Sequence, residues 1–308
     1  MSKADPLSVA EMVSQCRTRL GDEGTLVQFQ NPVFRGKETF SQFVSERFNY
    51  RVFGVNGIKA GPEQMKALVQ GDHLKAKDLG ALLELEGSDE VRKLVPEHVM
   101  SQPFGAFGFV VVSRLPEGER KEKLTPNEIR QLGEFLGKLH GFKRFRTTNE
   151  TGFLDSGNPD FGDYAMSAAM VYHQMLFPDL DSDERRLIDE TVDFIGSLAK
   201  GFGEGQTENV IIHKDIFENK LYWKGSELTC LDGWETAQTG PREMELSVIW
   251  NRFSDNWGSF VSGYGDSYNE DLLRLCSALQ ALRFWKSYRE HESFVSEQKE
   301  AIMRSFAA

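Results

Sequence analysis

Between residues 125 and 140, "TPNEIRQLGEFLGKLH", the apolar side chains Ile129, Leu132, Leu136 and Leu139 recur at steps of three and four. That period predicts an amphipathic helix with one buried face. Thr125 and Glu128 stand at capping-box spacing and Pro126 takes the first helical position, so the start of the helix is marked as well. The same logic predicts helices over 7–20, 73–87, 164–176 and 182–200, and through most of 242–308, where 272–285 is strongly apolar. Alternation in "TLVQFQ" (25–30) predicts a half-buried strand. "YRVFGVNGIKAG" (50–61) reads as two short strands around an Asn56-Gly57 turn. "FGFVVVSRLPEG" (107–118) reads as a buried strand broken at Pro116.

The segment 210–241, "VIIHKDIFENKLYWKGSELTCLDGWETAQTGP", changes texture most often. It predicts a strand ending at His213, a polar loop, and a hairpin of 220–223 with 227–232 turning at Lys224-Gly225-Ser226. A loop closes it. Such a hairpin returns Asp232 beside the loop that carries Asp215 and Asn219. A turn-rich acidic stretch lies at 151–164.

These elements place the chain in the α+β class. A smaller sheet-containing N-terminal lobe is expected over 1–115 and a larger, mainly helical lobe over 116–308, with the ligand in the crevice between them.

Composition narrows the function classes. The chain has 308 residues, 40% hydrophobic and 11% aromatic, as a globular protein does. Its apolar runs are too short to span a bilayer, and "MSKADPLSVAEMVSQ" has no apolar signal region. Cys16, Cys230 and Cys276 lie far apart and form no CxxC pair, so reduced thiols and a cytoplasmic location are expected. The net charge is −11, with 15 basic and 16 acidic residues over 1–120 and 21 and 31 over 121–308. An acidic second half disfavours nucleic acid and anionic membranes and tolerates a cationic small molecule.

Two carboxylates and an amide oxygen converging at a strand end suit phosphoryl transfer. One carboxylate orients the attacking hydroxyl and accepts its proton; a second, with an amide, holds Mg²⁺ on nucleotide phosphates. The residues also carry a resemblance. "IIHKDIFENKLYW", "LTCLDGWETAQTGP" and "MELSVIW" resemble the catalytic loop and metal-binding segment of the aminoglycoside phosphotransferase and choline kinase-like superfamily. "LGEFLGKLHGF" (132–142) looks like that family's helix ending in Leu-His, and "VVVSRLPEG" (110–118) like its inter-lobe linker. The order of parts over 94–250 is similar to hygromycin phosphotransferases; over 1–93 the resemblance is weak.

That resemblance implies a protein-kinase-like two-lobed fold and an ATP- or GTP-dependent kinase acting on a hydroxyl of a small molecule. It implies Asp215 as the catalytic base or orienter, Asn219 and Asp232 as Mg²⁺ ligands, and the backbone at Ser113 and Leu115 as the adenine contact. His213 would brace the loop, and Glu245 stands where the family usually has Asp. Lys59, with Glu84 as its helical partner ahead of Glu86 and Asp78, is the candidate phosphate clamp. Glu235 is a further acid near the metal segment, with a solvated role as the default.

Two single-residue offsets separate the chain from the family pattern. The family's Asn comes five residues after its Asp, where this chain has Lys220, and Gly233 intervenes between Asp232 and Trp234. Without gaps, Lys220 and Gly233 replace both metal ligands, which describes a pseudokinase. With one residue deleted in the loop and Gly233 inserted, Asn219 and Asp232 fall into place. The gapped alignment is preferred, because a one-residue slip would turn every hairpin side chain to the opposite face.

Between 150 and 190 ten acids face two bases, Arg185 and Arg186, which suits a polyamine-like or aminoglycoside-like acceptor. Tyr164, Tyr172, Trp250 and Trp257 could stack on a sugar or a quaternary ammonium, although core packing explains each as well. The chain has no GxSxG, HExxH or strand-linked GxGxxG, which sets aside hydrolase, zinc-protease and dinucleotide-binding readings.

Overall fold

The computed structural model describes residues 8–29, 41–54, 89–104, 108–141, 160–203, 205–234 and 237–307. Their strands, in chain order, are β1 (Val27–Phe29), β2 (Ser41–Val44), β3 (Phe48–Gly54), β4 (His98–Pro103) and β5 (Gly108–Arg114). After these come β6 (Glu119–Arg120), β7 (Asn209–Ile212), β8 (Leu221–Lys224), β9 (Glu227–Leu231) and β10 (Gln238–Pro241). The helices are α1 (Val9–Leu20), α2 (Asp89–Lys93), α3 (Pro126–His140), α4 (Phe161–Leu176) and α5 (Ser182–Ala199). They continue as α6 (Arg242–Arg252), α7 (Trp257–Tyr264), α8 (Glu270–Ser287) and α9 (Glu292–Ala307).

Two compact units result. One comprises Met1–Lys121 with Asn219–Glu235, the other Glu122–Glu218 with Thr236–Ala308. The sequence placed a single break at 115/116 and put the 220–232 hairpin in the second lobe. The hairpin groups instead with the first unit. β6 adds to its edge, pairing Arg120 with Tyr222, and the Leu231 N–H donates to the Leu94 carbonyl at 2.8 Å.

In the first unit an antiparallel sheet of order β1-β2-β3-β5-β4 packs on α1. The period of two along a strand sorts the side chains. Tyr50 and Val52 of β3 and Val110 and Val112 of β5 are buried with Met12, Val13 and Cys16 of α1, so Arg51 emerges on the opposite face. The buried Tyr50 hydroxyl donates to Asp22 at 2.5 Å. α1 begins with a capping box formed by Ser8 and Glu11.

In the second unit α3 starts with the capping box of Thr125 and Glu128 and lies against α7. Contact there is backbone to side: a Cβ at Gly133 would lie 2.3 Å from the Phe260 carbonyl oxygen. α4, α5, α8 and α9 enclose a core that includes Ile188, Ile195, Leu275, Leu282 and Ile302. β7 pairs antiparallel with β10, Ile212 opposite Gln238 and Asn209 opposite Pro241. Residues 238–241 read as loop in the sequence because Gly240 and Pro241 break a strand pattern; a two-stranded ladder tolerates proline at its end. The expected helix over 73–87, the Asn56-Gly57 turn and the loop at 151–159 lie outside the described residues.

All three cysteines are free and buried, and burial pushes the Cys16 thiol up to about 11. Among the described residues no helix is long and apolar enough to cross a membrane.

Candidate active site

In the second unit, β7 delivers a loop, residues 213–218, whose two ends are held by one helix. Glu245 of α6 is fully buried; its Oε2 accepts the His213 N–H at 2.9 Å and its Oε1 the Lys214 N–H at 2.8 Å. Two helical turns further along α6, Arg252 Nε donates to both carboxylate oxygens of Glu218, at 3.1 and 3.0 Å. Positions seven apart lie on one helix face, so the spacing of Glu245 and Arg252 matches the span of the loop. Between these clamps Lys214 adopts φ 73, a left-handed backbone that costs a branched or long residue free energy.

Asp215, half-buried, follows Lys214, and its N–H donates to His213 Nδ1 at 3.4 Å. His213 therefore braces the loop from both backbone and ring. Tyr288 shares this surrounding: burial first, then the Asp215 charge, push its phenol up to about 12.

A second layer supports Glu245. His140, the last residue of α3, places Nε2 at 3.3 Å from Glu245 Oε2 and Nδ1 at 2.8 Å from the Tyr264 hydroxyl. Burial alone would raise the Glu245 pKa. The hydrogen bond and charge of His140, with the charge and backbone N–H of His213, outweigh it and hold the carboxyl below its ordinary value. Sequence reasoning singled out Glu245 and the Leu-His ending but not Arg252 or Tyr264. Their signal, i and i+7 on one helix and a tyrosine 124 residues from His140, has no local pattern.

In the first unit the hairpin carries Asn219 and Asp232. The Asp232 N–H donates to the Lys220 carbonyl at 2.8 Å, which sets Lys220 across from Asp232. Asp232 is 2% exposed, yet its surroundings are cationic. Arg51 of β3 donates to its Oδ1, and Arg120 Nη2 lies 3.6 Å from its Oδ2. Burial opposes ionisation, but the charges of Arg51, Lys220 and Arg120 and the Arg51 hydrogen bond lower its pKa to about 2. The Arg120 guanidinium also lies 4.7 Å from the centre of the Tyr222 ring.

A divalent ion requires oxygen donors with lone pairs open to it. Asn219 Oδ1 meets that condition, being buried with no hydrogen-bond partner among the described residues. Asp232 does not, because a guanidinium stands at each carboxylate oxygen and a third cation is close by. The residues present therefore do not fit Mg²⁺ at Asp232. Neither Arg51 nor Arg120 was singled out in the sequence, since Arg51 is one basic residue in an alternating strand and Arg120 lies in a strand of two residues.

Ser113 and Leu115 fall at the end of β5. Ser113 is buried in register with Asn49, and the Leu115 N–H donates to the Arg47 carbonyl at 2.9 Å. The Leu115 N–H is thus committed to the protein instead of facing a base. Lys59, Glu84, Glu86, Asp78 and Glu235 lie outside the described residues.

The acids between 160 and 190 are partly spent on structure. Asp160 and Asp181 cap α4 and α5. Arg289 pairs with Asp179, and Lys299 Nζ with Glu184 at 2.5 Å. Asp160 and Asp163, with Asp193, line a cavity of about 620 Å³ beside α4 and α5. Tyr164 and Tyr172 pack on the helical core, Trp257 stacks on Phe260 at 5.2 Å, and Trp250 lies 6.3 Å from Trp257, ring centre to ring centre.

A family model described as the phosphotransferase enzyme family matches residues 78–285, about two thirds of the chain. No curated protein matches by sequence. Among solved structures, an ADP-bound aminoglycoside phosphotransferase is similar with a TM-score of 0.63 at 14% identity, over 97% of this chain and 99% of that one. A GDP complex of an aminoglycoside 2'-phosphotransferase gives 0.66 at 14%, over 98% and 99%. Spectinomycin phosphotransferase in complex with ADP and spectinomycin gives 0.65 at 15%, again over 98% and 99%. At these identities the likeness is one of fold: the chain has the kinase-like α+β fold that the family resemblance implied.

Proposed function

The chain belongs to the phosphotransferase enzyme family and is a small-molecule kinase; from that premise we propose that it moves the terminal phosphoryl group of ATP or GTP onto a hydroxyl of a cationic small molecule. Asp215 is the residue assigned to the acceptor. Its carboxylate orients the hydroxyl and takes its proton while the oxygen attacks phosphorus and the bond to the nucleoside diphosphate breaks. The observation that carries this reading is the double clamp of the Asp215 loop by Glu245 and Arg252. A general base works only if held within a fraction of an ångström of its target, and both loop ends are fixed by buried or bifurcated charge-assisted bonds.

Nucleotide use is supported by the ADP and GDP complexes among the similar structures, and an antibiotic-like acceptor by the spectinomycin complex. An acidic second half agrees with a cationic acceptor. Among the candidate residues, Asn219 keeps an oxygen suited to a cation, Lys59 stays assigned to the phosphates with Glu84 as its ion-pair partner, and the backbone at Ser113 and Leu115 to the purine edge.

The direct test is transfer of labelled phosphate from ATP and GTP to a panel of aminoglycosides, spectinomycin, choline and amino sugars. Asp215→Asn is expected to cut turnover of any accepted substrate by about 10²–10⁴ while leaving nucleotide affinity intact. Undiminished turnover in that variant would remove Asp215 from the chemistry.

A further inference from the structure

Beside the Asp215 loop, within the second unit, stands a cation to which the reading above gives no task. Arg283, on α8, is half-buried. Its Nη1 donates to Gln280 Oε1 at 3.1 Å and, at the long distance of 3.5 Å, to the carbonyl of Lys214, the residue before Asp215. Its guanidinium lies 5.0 Å from the centre of the Phe284 ring, and Phe284 meets Phe217 of the loop edge-on at 5.4 Å. An amide, a carbonyl and an aromatic ring thus hold the group in place, and all three are uncharged. Among the described residues no carboxylate pairs with it, and its Nε and Nη2 have no hydrogen-bond partner. Three phenols feel its charge. Burial, and then Tyr172, raise the Tyr164 phenol, and burial raises that of Tyr172; Arg283 opposes the rise at both. At Tyr288, where burial and then Asp215 raise the phenol, Arg283 opposes again. The rings of Tyr164 and Tyr172 pack on the helical core, while their hydroxyls have no partner among the described residues.

We propose that Arg283, with the Tyr164 and Tyr172 hydroxyls, forms an anion subsite that takes a carboxylate of the acceptor while Asp215 takes its hydroxyl. Resting on Asp215 as the acceptor residue, this narrows the cationic acceptor to a zwitterion, a hydroxy amino acid or an amino-sugar acid. A guanidinium partly withdrawn from water and held by neutral groups gains more from an anion than an exposed one does. With Nη1 directed at Gln280 and Lys214, the Nε–Nη2 edge is the one that meets a carboxylate with two parallel N–H donors. Phenol hydroxyls add single donors. Without a cation there, Asp215 would repel a carboxylate brought so near to it. Since Arg283 bonds the Lys214 carbonyl, an acceptor bound through it is referred to the same turn that positions Asp215.

The test uses the full chain and three zwitterionic hydroxy acids, serine, hydroxyproline and glucosaminic acid, each beside its carboxamide, which keeps the shape and removes the charge. Binding is read by ligand-observed NMR titration, and transfer by labelled phosphate from ATP and GTP. At least one acid is expected to bind saturably, about tenfold or more tighter than its amide. Arg283→Gln should abolish that preference and Arg283→Lys keep part of it. In turnover the loss in Arg283→Gln should fall on KM, by about tenfold, with kcat held within about threefold. Equal binding of acids and amides, no saturable binding of any acid, or a preference that survives in Arg283→Gln overturns the proposal. The comparison of acid with amide in the parent protein needs no substitution, so it decides even where a variant fails to fold. Arg283-dependent binding of an acid whose turnover is undiminished in Asp215→Asn has a different meaning: the carboxylate subsite stands, and the assignment of Asp215 to the acceptor falls.

Discussion

The Lys214 N–H donates to Glu245 Oε1 at 2.8 Å, across 31 residues of chain, while Lys214 itself stands at φ 73. The bond and the backbone conformation belong together. A left-handed turn points two successive N–H groups, those of His213 and Lys214, toward one buried carboxylate, which neutralises the cost of burying them. Asp215 is the next residue, so whatever it does chemically depends on this turn.

Glu245→Ala is accordingly expected to be severe. It leaves two buried N–H groups and His140 without an acceptor, and each unsatisfied group costs about 1–3 kcal/mol. A loss of about 3–5 kcal/mol should appear in urea unfolding, with faster hydrogen exchange at the His213 and Lys214 amides. A loss below about 1 kcal/mol would show that the clamp is incidental.

Lys214 itself gives a test of the strain. In Lys214→Gly the positive φ costs nothing, whereas Lys214→Val adds branching at a position that disfavours it. The glycine variant should melt at or above the parent temperature, and the valine variant should lose about 1–2 kcal/mol. Equal melting temperatures for the two would contradict the strain argument.

Asp232 predicts an acid limb in stability. Its pKa falls from an ordinary 3.8 to about 2 on folding, so the folded state favours the ionised form. The contribution, about 2 kcal/mol, is complete above the unfolded pKa and disappears as pH falls through the folded one. Parent and Asp232→Asn should therefore differ most at pH 5 and above, and converge between roughly pH 4 and pH 2. Unfolding free energies measured across that window check it; a gap that persists to the acid end would place the effect elsewhere.

Gly133 sets the approach of α3 to α7. Because a Cβ would lie 2.3 Å from a backbone oxygen, no rotamer relieves the clash, and a helix must shift. Gly133→Ala should cost about 1–3 kcal/mol despite the better helix propensity of alanine. Calorimetry of the two proteins decides between propensity and contact, since the two predict opposite signs.

What the chain determines by itself is local. The 3.6-residue period and capping box of α3, the alternation of β5, and the hairpin turning at Gly225 follow from side-chain size, backbone freedom and hydrogen bonding over a few residues. The loop bearing Asp215 was legible for the same reason: polar residues stood where a buried strand ended. The strand at 238–241 was not, since its pairing with 209–212 is what overrides its glycine and proline. Nor was the grouping of the hairpin with the first unit, which depends on a two-residue edge strand. The two single-residue offsets at Asn219 and Gly233 could be seen in the sequence but not resolved there. Only tertiary structure brings Arg51, from a strand 181 residues away, onto the Asp232 carboxylate and lays Lys220 over Gly233. Charge acts through space, so which cations neutralise a buried carboxylate is decided by packing and not by spacing along the chain.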